Sequence, residues 1–247
     1  MTAAAGTIAW VAARAGIDLP AAFYRLILDE SMAHSCGYWP GPDGGLASAQ
    51  AAKLDMVCRK LGLRPGSRLL DLGCGWGSLT VHAARHCQAR VTGITLSAEQ
   101  GGFIRGRLDA LGLGDLAGVR VQDYRDAGGG PYDAIASIEM GEHVGAAGYP
   151  AFCAALRDLV RPGGRVLIQQ MSRGRRTPGG GAFIESYIAA DMHMRPVGET
   201  VSLLESAGLE VLGDERARLW RLYLAGGALA FEEGRMGVDQ ILAARHS

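Results

Sequence analysis

The sequence predicts an α/β domain built on an open, mostly parallel sheet with helices on both faces. Three observations carry this expectation. From about residue 61 onward, short apolar runs alternate with helical patterns, as in repeated βαβ units. The first run, Arg68-Leu69-Leu70, enters the glycine-rich loop Asp71-Leu72-Gly73-Cys74-Gly75-Trp76-Gly77 and then a helical stretch, Ser78 to Ala84. Finally, the chemically capable residues fall just past the ends of the expected strands, where such sheets bind ligands: Asp71–Gly77, Thr95–Gln100, Asp123-Tyr124, Glu139–His143 and Gln169–Met171.

Taken in order, residues 1 to about 60 read as an N-terminal helical lid, and residues 61–247 as the α/β domain. In the lid, Ala21 to Leu28 is apolar and aromatic, and Gln50 to Leu61 is amphipathic. A glycine- and proline-rich loop, Gly37 to Gly45, lies between them. Strands are expected near 68–72, 90–95, 118–122, 132–138 and 164–170, and helices near 76–87, 97–112 and 148–160. Arg161-Pro162-Gly163-Gly164 reads as the turn into the fifth strand. A helical insertion is expected near 172–208, with a basic loop (Arg173, Arg175, Arg176) and helices at 183–193 and 197–207. A sixth strand, Leu209 to Leu212, precedes a helix from Asp214 to Gly234 and a last strand from Val238 to Ala243. Leu219, Trp220, Leu222 and Tyr223 fall at helical spacing, which suits core positions.

A length of 247 residues and 48% hydrophobic content suit one α/β domain with an appended segment. The formal net charge is zero, so no global field recruits nucleic acid. Lys53 and Lys60 are the only lysines among 25 basic residues. The five cysteines lack a Cys-x-x-Cys pair and read as reduced thiols of a cytosolic protein. His82, His86 and Cys87 share a helix, but His86 and Cys87 face different directions and no second ligand pair follows, so no metal is expected. The N-terminus carries no basic region and cleavage pattern of a signal peptide. The longest apolar stretch, Leu222 to Phe231, is well short of the ~20 residues a bilayer span needs. The expectation is a cytoplasmic protein, at most peripheral at the inner membrane face.

The glycine loop points to a nucleotide-like cofactor, and its details select among them. Gly73-x-Gly75-x-Gly77 is not the Gly-x-Gly-x-x-Gly spacing of dinucleotide sites. The second strand ends in Thr95-Leu96-Ser97, without the acid that would take an NAD ribose. No Gly-x-x-x-x-Gly-Lys-Ser/Thr is present. A carboxylate, Asp71, directly before the glycines suits a cationic, hydroxyl-rich ligand, and S-adenosylmethionine (SAM) fits. A plain strand-to-helix turn is the alternative, which the acid and the strand disfavour.

Five segments in order complete the sequence reading: Ser35-Cys36-Gly37-Tyr38-Trp39, Leu69 to Gly77, Val91 to Gln100, Gln122 to Asp126 and Glu142-His143-Val144-Gly145, with Tyr223-Leu224 through Gln240 following. Together they resemble the cyclopropane-fatty-acid synthase family, including the mycolic acid cyclopropane synthases. The resemblance implies a class I methyltransferase of Rossmann-like fold, with a seven-stranded sheet whose last strand is antiparallel. It implies transfer of a methyl or methylene carbon from SAM to the cis double bond of an unsaturated, phospholipid-bound acyl chain through a carbocation. In the family a bound bicarbonate takes the proton. By that resemblance Cys36 supplies a backbone ligand and Glu142 a carboxylate, while Gln169 stands where His is common and Glu139 where Gly is usual. A similar Gln169-Gln170-Met171-Ser172 segment in relatives that make methyl-branched acids tilts the expectation from ring closure toward methylation or methylenation. A methylene product would need a reductase partner.

For the cofactor, the resemblance places Asp71, Gly73 and Gly75 at the methionine end and Thr95 and Gln100 at the ribose. Asp123 and Tyr124 would border the adenine, and His34 and Ser35 would close over the whole. Cys74, Trp76, Gly77, Leu96, Ser97 and Ile138 complete that set. One departure stands out. The family's His-Tyr-x-x-Thr-Leu-x-x-Trp helix after the sixth strand is missing, and Gly213-Asp214-Glu215-Arg216 joins that strand almost directly to the last helix. That helix is therefore expected to lie obliquely, start late or leave the acyl slot open. A small-molecule N- or C-methyltransferase and a catalytically impaired SAM-binding protein are the competing readings.

Overall fold

The computed structural model describes residues 20–41, 44–174, 192–212 and 237–245. A single helical turn, α1 (Ala21–Tyr24), is followed by turns and extended chain, then by α2 (Leu46–Leu61). The α/β alternation runs β1 (Arg68–Leu72), α3 (Ser78–Cys87), β2 (Arg90–Thr95), α4 (Ala98–Ala110), β3 (Ala117–Val121), β4 (Tyr132–Ile138), α5 (Gly145–Leu159), β5 (Val160–Ser172), α6 (Val197–Ser206), β6 (Leu209–Val211) and β7 (Gly237–Arg245). Short 3₁₀ turns, Tyr124–Asp126 and Gly141–Val144, follow β3 and β4. The sheet order is β3-β2-β1-β4-β5-β7-β6. All pairings are parallel except those of β7, which runs antiparallel to both β5 and β6.

Alternation along each strand explains how one sheet builds two cores. Leu69, Val91, Ala134, Leu167 and Leu242 face α2, α3 and α4, meeting Leu54, Val57, Leu79, Ile104 and Leu108. Their neighbours Leu70, Ile135, Val166, Ile168 and Ile241 face α5 and α6, meeting Tyr149, Phe152, Leu156 and Leu204. The order reverses between β1 and β4, so the carboxyl ends of β1, β2, β4 and β5 converge where such sheets hold ligands.

Three expectations are corrected. The helix expected over 21–28 is one turn long. The Arg161–Gly164 turn lies inside β5 as a bulge, where pairing jumps from Tyr132↔Val160 to Ala134↔Arg165. Pro162 has no N–H for the ladder, and a Cβ on Gly164 would stand 2.9 Å from the Asp133 carbonyl oxygen, so the chain must bulge there. α5 starts at Gly145 rather than near 148, with Pro150 inside it rather than in its first turn. The expected helix at 214–234, residues 183–191 of the expected 183–193 helix, and Arg175 and Arg176 lie outside the described residues. Among the described residues, no helix is long and apolar enough to cross a membrane. Nor is any group of three or more His, Cys, Asp and Glu placed to hold a metal ion.

Candidate functional site

The loop after β1 is pinned to the end of β2: the Gly73 and Cys74 N–H groups both donate to the Ile94 carbonyl, at 3.0 and 2.8 Å. Gly73 has φ +78° and Gly75 φ +51°, the left-handed region that glycine tolerates. A Cβ on Gly75 would meet nothing within 4 Å, so at this point bare backbone faces open space. Trp76 is buried, with its ring 5.2 Å from those of Tyr24 and Phe103. Tyr24 in turn packs on His34 at 5.2 Å. The segment around Tyr24 and His34 is thereby docked on the glycine loop.

The residues expected around the cofactor have specific local partners. Asp71 is buried, and its carboxylate accepts the Thr80 hydroxyl at 2.7 Å, tying the strand end to the first turn of α3. Burial pushes its carboxyl up to about 6. Thr95 Oγ1 donates to Gln100 Oε1 at 2.6 Å and accepts the Ser97 N–H at 3.1 Å. Ser97 Oγ accepts the Gln100 N–H, capping α4. Leu96 between them is half-buried. Asp123 holds Arg125 through both carboxylate oxygens, at 2.9 and 2.6 Å, and that guanidinium keeps its carboxyl below the usual range. Tyr124 stands edge-on to Phe152, and Ile138 is half-buried at the end of β4. His34 is exposed, and Ser35 is half-buried.

Next to this loop lies a carboxylate cluster. Glu139 directly follows β4 with φ +50°, and its N–H donates to the Gln169 carbonyl at 2.6 Å. Its Oε1 accepts the Cys36 N–H at 3.0 Å and the Gln169 side-chain amide at 3.3 Å. That amide also lies 3.6 Å from Cys36 Sγ. The Gln169 amide is oriented from β7, where Gln240 donates to Gln169 Oε1 at 2.6 Å. Glu142, 1% exposed, accepts the Met171 N–H on Oε1 at 2.7 Å, while its buried Oε2 has no partner among the described residues. Burial foremost, and the Glu139 charge after it, push its carboxyl up to about 7. Burial and Glu139 also raise the Cys36 thiol, to about 12, so this cysteine is a neutral thiol and not a nucleophile.

Cys36 and Gln169 thus meet on Glu139, a residue that sequence reasoning noticed but did not place in the catalytic set. Glu142 stands beside them with bonds of its own. Lys53 was missed altogether: it is 1% exposed, with Nζ 2.6 Å from Ser35 Oγ. The available signal was that it is one of only two lysines, on the apolar face of an amphipathic stretch.

The chemistry of this set fits SAM. Gly75 leaves room for close approach to the main chain, and carboxylates suit the cationic sulfonium and ammonium.

Comparison with known proteins shows the family of the chain. Residues 7–213 match the family model described as mycolic acid cyclopropane synthetase. A probable fatty acid methyltransferase of Pseudomonas putida is 39% identical over 265 positions, covering 92% of this chain and 67% of its own length. The cyclopropane-fatty-acyl-phospholipid synthase of Escherichia coli K12 is 37% identical, covering 73% of this chain and 46% of its own. The chain therefore spans about half to two thirds of these relatives. The 265 aligned positions exceed the 247 residues of the chain, so the Pseudomonas relative carries residues without a counterpart here. Among solved structures, the cyclopropane synthase MmaA2 from Mycobacterium tuberculosis superposes with a TM-score of 0.83 at 25% identity, covering 94% of this chain and 96% of that one. By sequence match and by fold, the chain belongs to the mycolic acid cyclopropane synthetase family.

Proposed function

We propose that the chain is a SAM-dependent C-methyltransferase acting on the cis double bond of an unsaturated fatty acyl chain, with Glu139 as the group that takes the proton. In this reading residues 1–60 form a lid over a SAM-binding domain, 61–247. Asp71, Gly73–Gly77, Thr95, Leu96, Ser97, Gln100, Asp123, Tyr124, Ile138, His34 and Ser35 hold SAM, which when bound supplies an electrophilic methyl. An alkene is a weak nucleophile, and its attack leaves a carbocation on the chain. The protein must then hold a dry slot, tolerate positive charge and accept a proton. The Glu139 carboxylate tolerates the cation and accepts the proton, and the Cys36 and Gln169 N–H donors aim it. Glu142, near neutrality at about 7, is the neighbouring carboxyl that can share that proton.

The single observation that carries the reading is the Glu139 carboxylate seated on Cys36 and Gln169. A bound bicarbonate would need the same donors, so Glu139 takes its place here. A hydride shift that moves the cation to the methyl-bearing carbon, followed by loss of a proton to the base, gives a methylene or an unsaturated methyl-branched chain, which a reductase partner could saturate. Phe23, Leu26 and Ile27, at 46%, 81% and 56% exposure, support peripheral contact with the inner membrane face.

The test is transfer of labelled methyl from SAM to vesicles of unsaturated phospholipid in bicarbonate-free buffer, with mass spectrometry of the acyl chains. Methylated or methylenated chains at an unchanged rate are expected. A rate that collapses without bicarbonate would return the role to a bound ion. SAM binding with no labelled lipid would leave the small-molecule or impaired readings.

A further inference from the structure

Lys53 has no place in the scheme above, yet it is among the largest fully buried side chains of the protein. A buried ammonium is costly unless its surroundings compensate it. Of 25 basic residues, 23 are arginine, so lysine is the exception in this chain. A compact point charge fits where a planar guanidinium fork does not. Burial pulls the Lys53 pKa below the usual lysine range, and the charges of Glu139, Cys36, Asp29 and Asp71 act against it.

The geometry around Lys53 is a clamp. Lys53 and Gln50 lie three apart on α2, on one helix face. Gln50 Nε2 donates to the Ser35 carbonyl at 2.8 Å, and Lys53 Nζ donates to Ser35 Oγ at 2.6 Å. The Tyr38 N–H donates to the Ala49 carbonyl at 3.0 Å, fastening the same segment further along. Ser35 is held at both its carbonyl and its hydroxyl. The carbonyl belongs to the Ser35–Cys36 peptide, whose N–H is the donor on Glu139. Rotation of that peptide would break both bonds.

We propose that Lys53 is a positioning residue: acting through Ser35, it fixes the Ser35–Cys36 peptide so that the Cys36 N–H stays on the Glu139 carboxylate. The proposal rests on the role given to Glu139 above. It differs from a cofactor-binding role, because the ammonium acts on the protein's own peptide.

The test is a double-mutant cycle of Lys53→Met and Ser35→Ala, read by methyl-transfer kcat, SAM titration and amide exchange of the 33–38 segment. Lys53→Met is expected to lower kcat about 10- to 100-fold, the scale of a small misplacement of a catalytic group. Its SAM affinity should stay within about threefold, and exchange at Cys36 should accelerate. At saturating SAM the kcat of the double variant should fall no further than about twofold below that of Lys53→Met, because the Lys53–Ser35 bond is lost in both. Unchanged kcat, effects that multiply, or SAM affinity that falls as far as kcat would each overturn the proposal. If Lys53→Met fails to fold, Ser35→Ala alone must accelerate Cys36 exchange, and unchanged exchange overturns the clamp. A Glu139→Gln variant with full turnover would remove the base reading while Cys36 exchange still decides on the clamp.

Discussion

Glu139 adopts φ +50°, a conformation that glycine enters freely and a side chain enters at a cost of about 1 kcal/mol. Such strain persists only where the surroundings over-determine it. Here the backbone N–H is bound to Gln169 and the carboxylate to Cys36 and Gln169. Glu139→Gly relieves that strain but strands the Cys36 N–H, so its stability by denaturant titration should stay within about 1 kcal/mol of the wild type while turnover is lost. Glu139→Gln should lower kcat by about 10²–10⁴-fold, with SAM affinity unchanged by calorimetry. Glu142 makes a second residue-scale prediction. Its ordinary value is 4.5 and burial holds it near 7, so the folded protein keeps a proton that the unfolded chain releases over that window. The contribution of Glu142 to stability is then fully present below about pH 4.5, is lost as pH rises to about 7, and does not change above. Glu142→Gln removes that dependence. Its melting temperature should match the wild type near pH 5 and exceed it at pH 8, where the gain approaches about 3 kcal/mol. A constant difference across that range would mean that Glu142 does not hold its proton.

At the scale of elements, the β1 loop separates two uses of glycine. A Cβ on Gly73 would stand 2.8 Å from Met140 Cβ, whereas one on Gly75 would meet nothing. Gly73→Ala should destabilise the fold by thermal melting. Gly75→Ala should cost about 1 kcal/mol in backbone strain and weaken SAM binding by more than that strain explains, because its methyl enters the open face. Equal melting temperatures for the two would contradict this division. The loop and its flanking strands were legible in the sequence, because apolar runs and glycine spacing are local signals. Cys36, Glu142 and Gln169 were legible through ordered motifs. What stayed hidden was non-local. Glu139 takes its donors from Cys36, 103 residues away, and Gln169, 30 residues away. Lys53 meets Ser35 across the bend that precedes α2. The β5 bulge was likewise read as a turn, since Pro162 and Gly163 have the same composition in either setting and only the Asp133 carbonyl decides.

At the scale of the whole molecule, the N-terminal segment, the proposed lid, packs on the glycine loop and α4, the elements proposed to hold the cofactor. Tyr24 and Met32 bury themselves with Trp76, and Arg107 on α4 donates to the carbonyls of Ser31 and Glu30 at 2.9 and 3.1 Å. A ligand that orders the glycine loop should therefore also hold the lid, because local opening of that segment must separate it from Trp76. Arg25, exposed beside Tyr24, offers a probe of that opening. S-adenosylhomocysteine should slow tryptic cleavage at Arg25 in proportion to its saturation, as expected when a ligand binds the closed form alone. Trp76→Ala deletes a buried indole, a change of about 3–5 kcal/mol, and should both speed cleavage and abolish the ligand's protection. Arg107→Ala removes only two carbonyl bonds, so it should speed cleavage while leaving protection in place. Cleavage at Arg25 that ignores the ligand in the wild type would mean that the lid is a static cover, and that cofactor binding and lid closure are independent events in this chain.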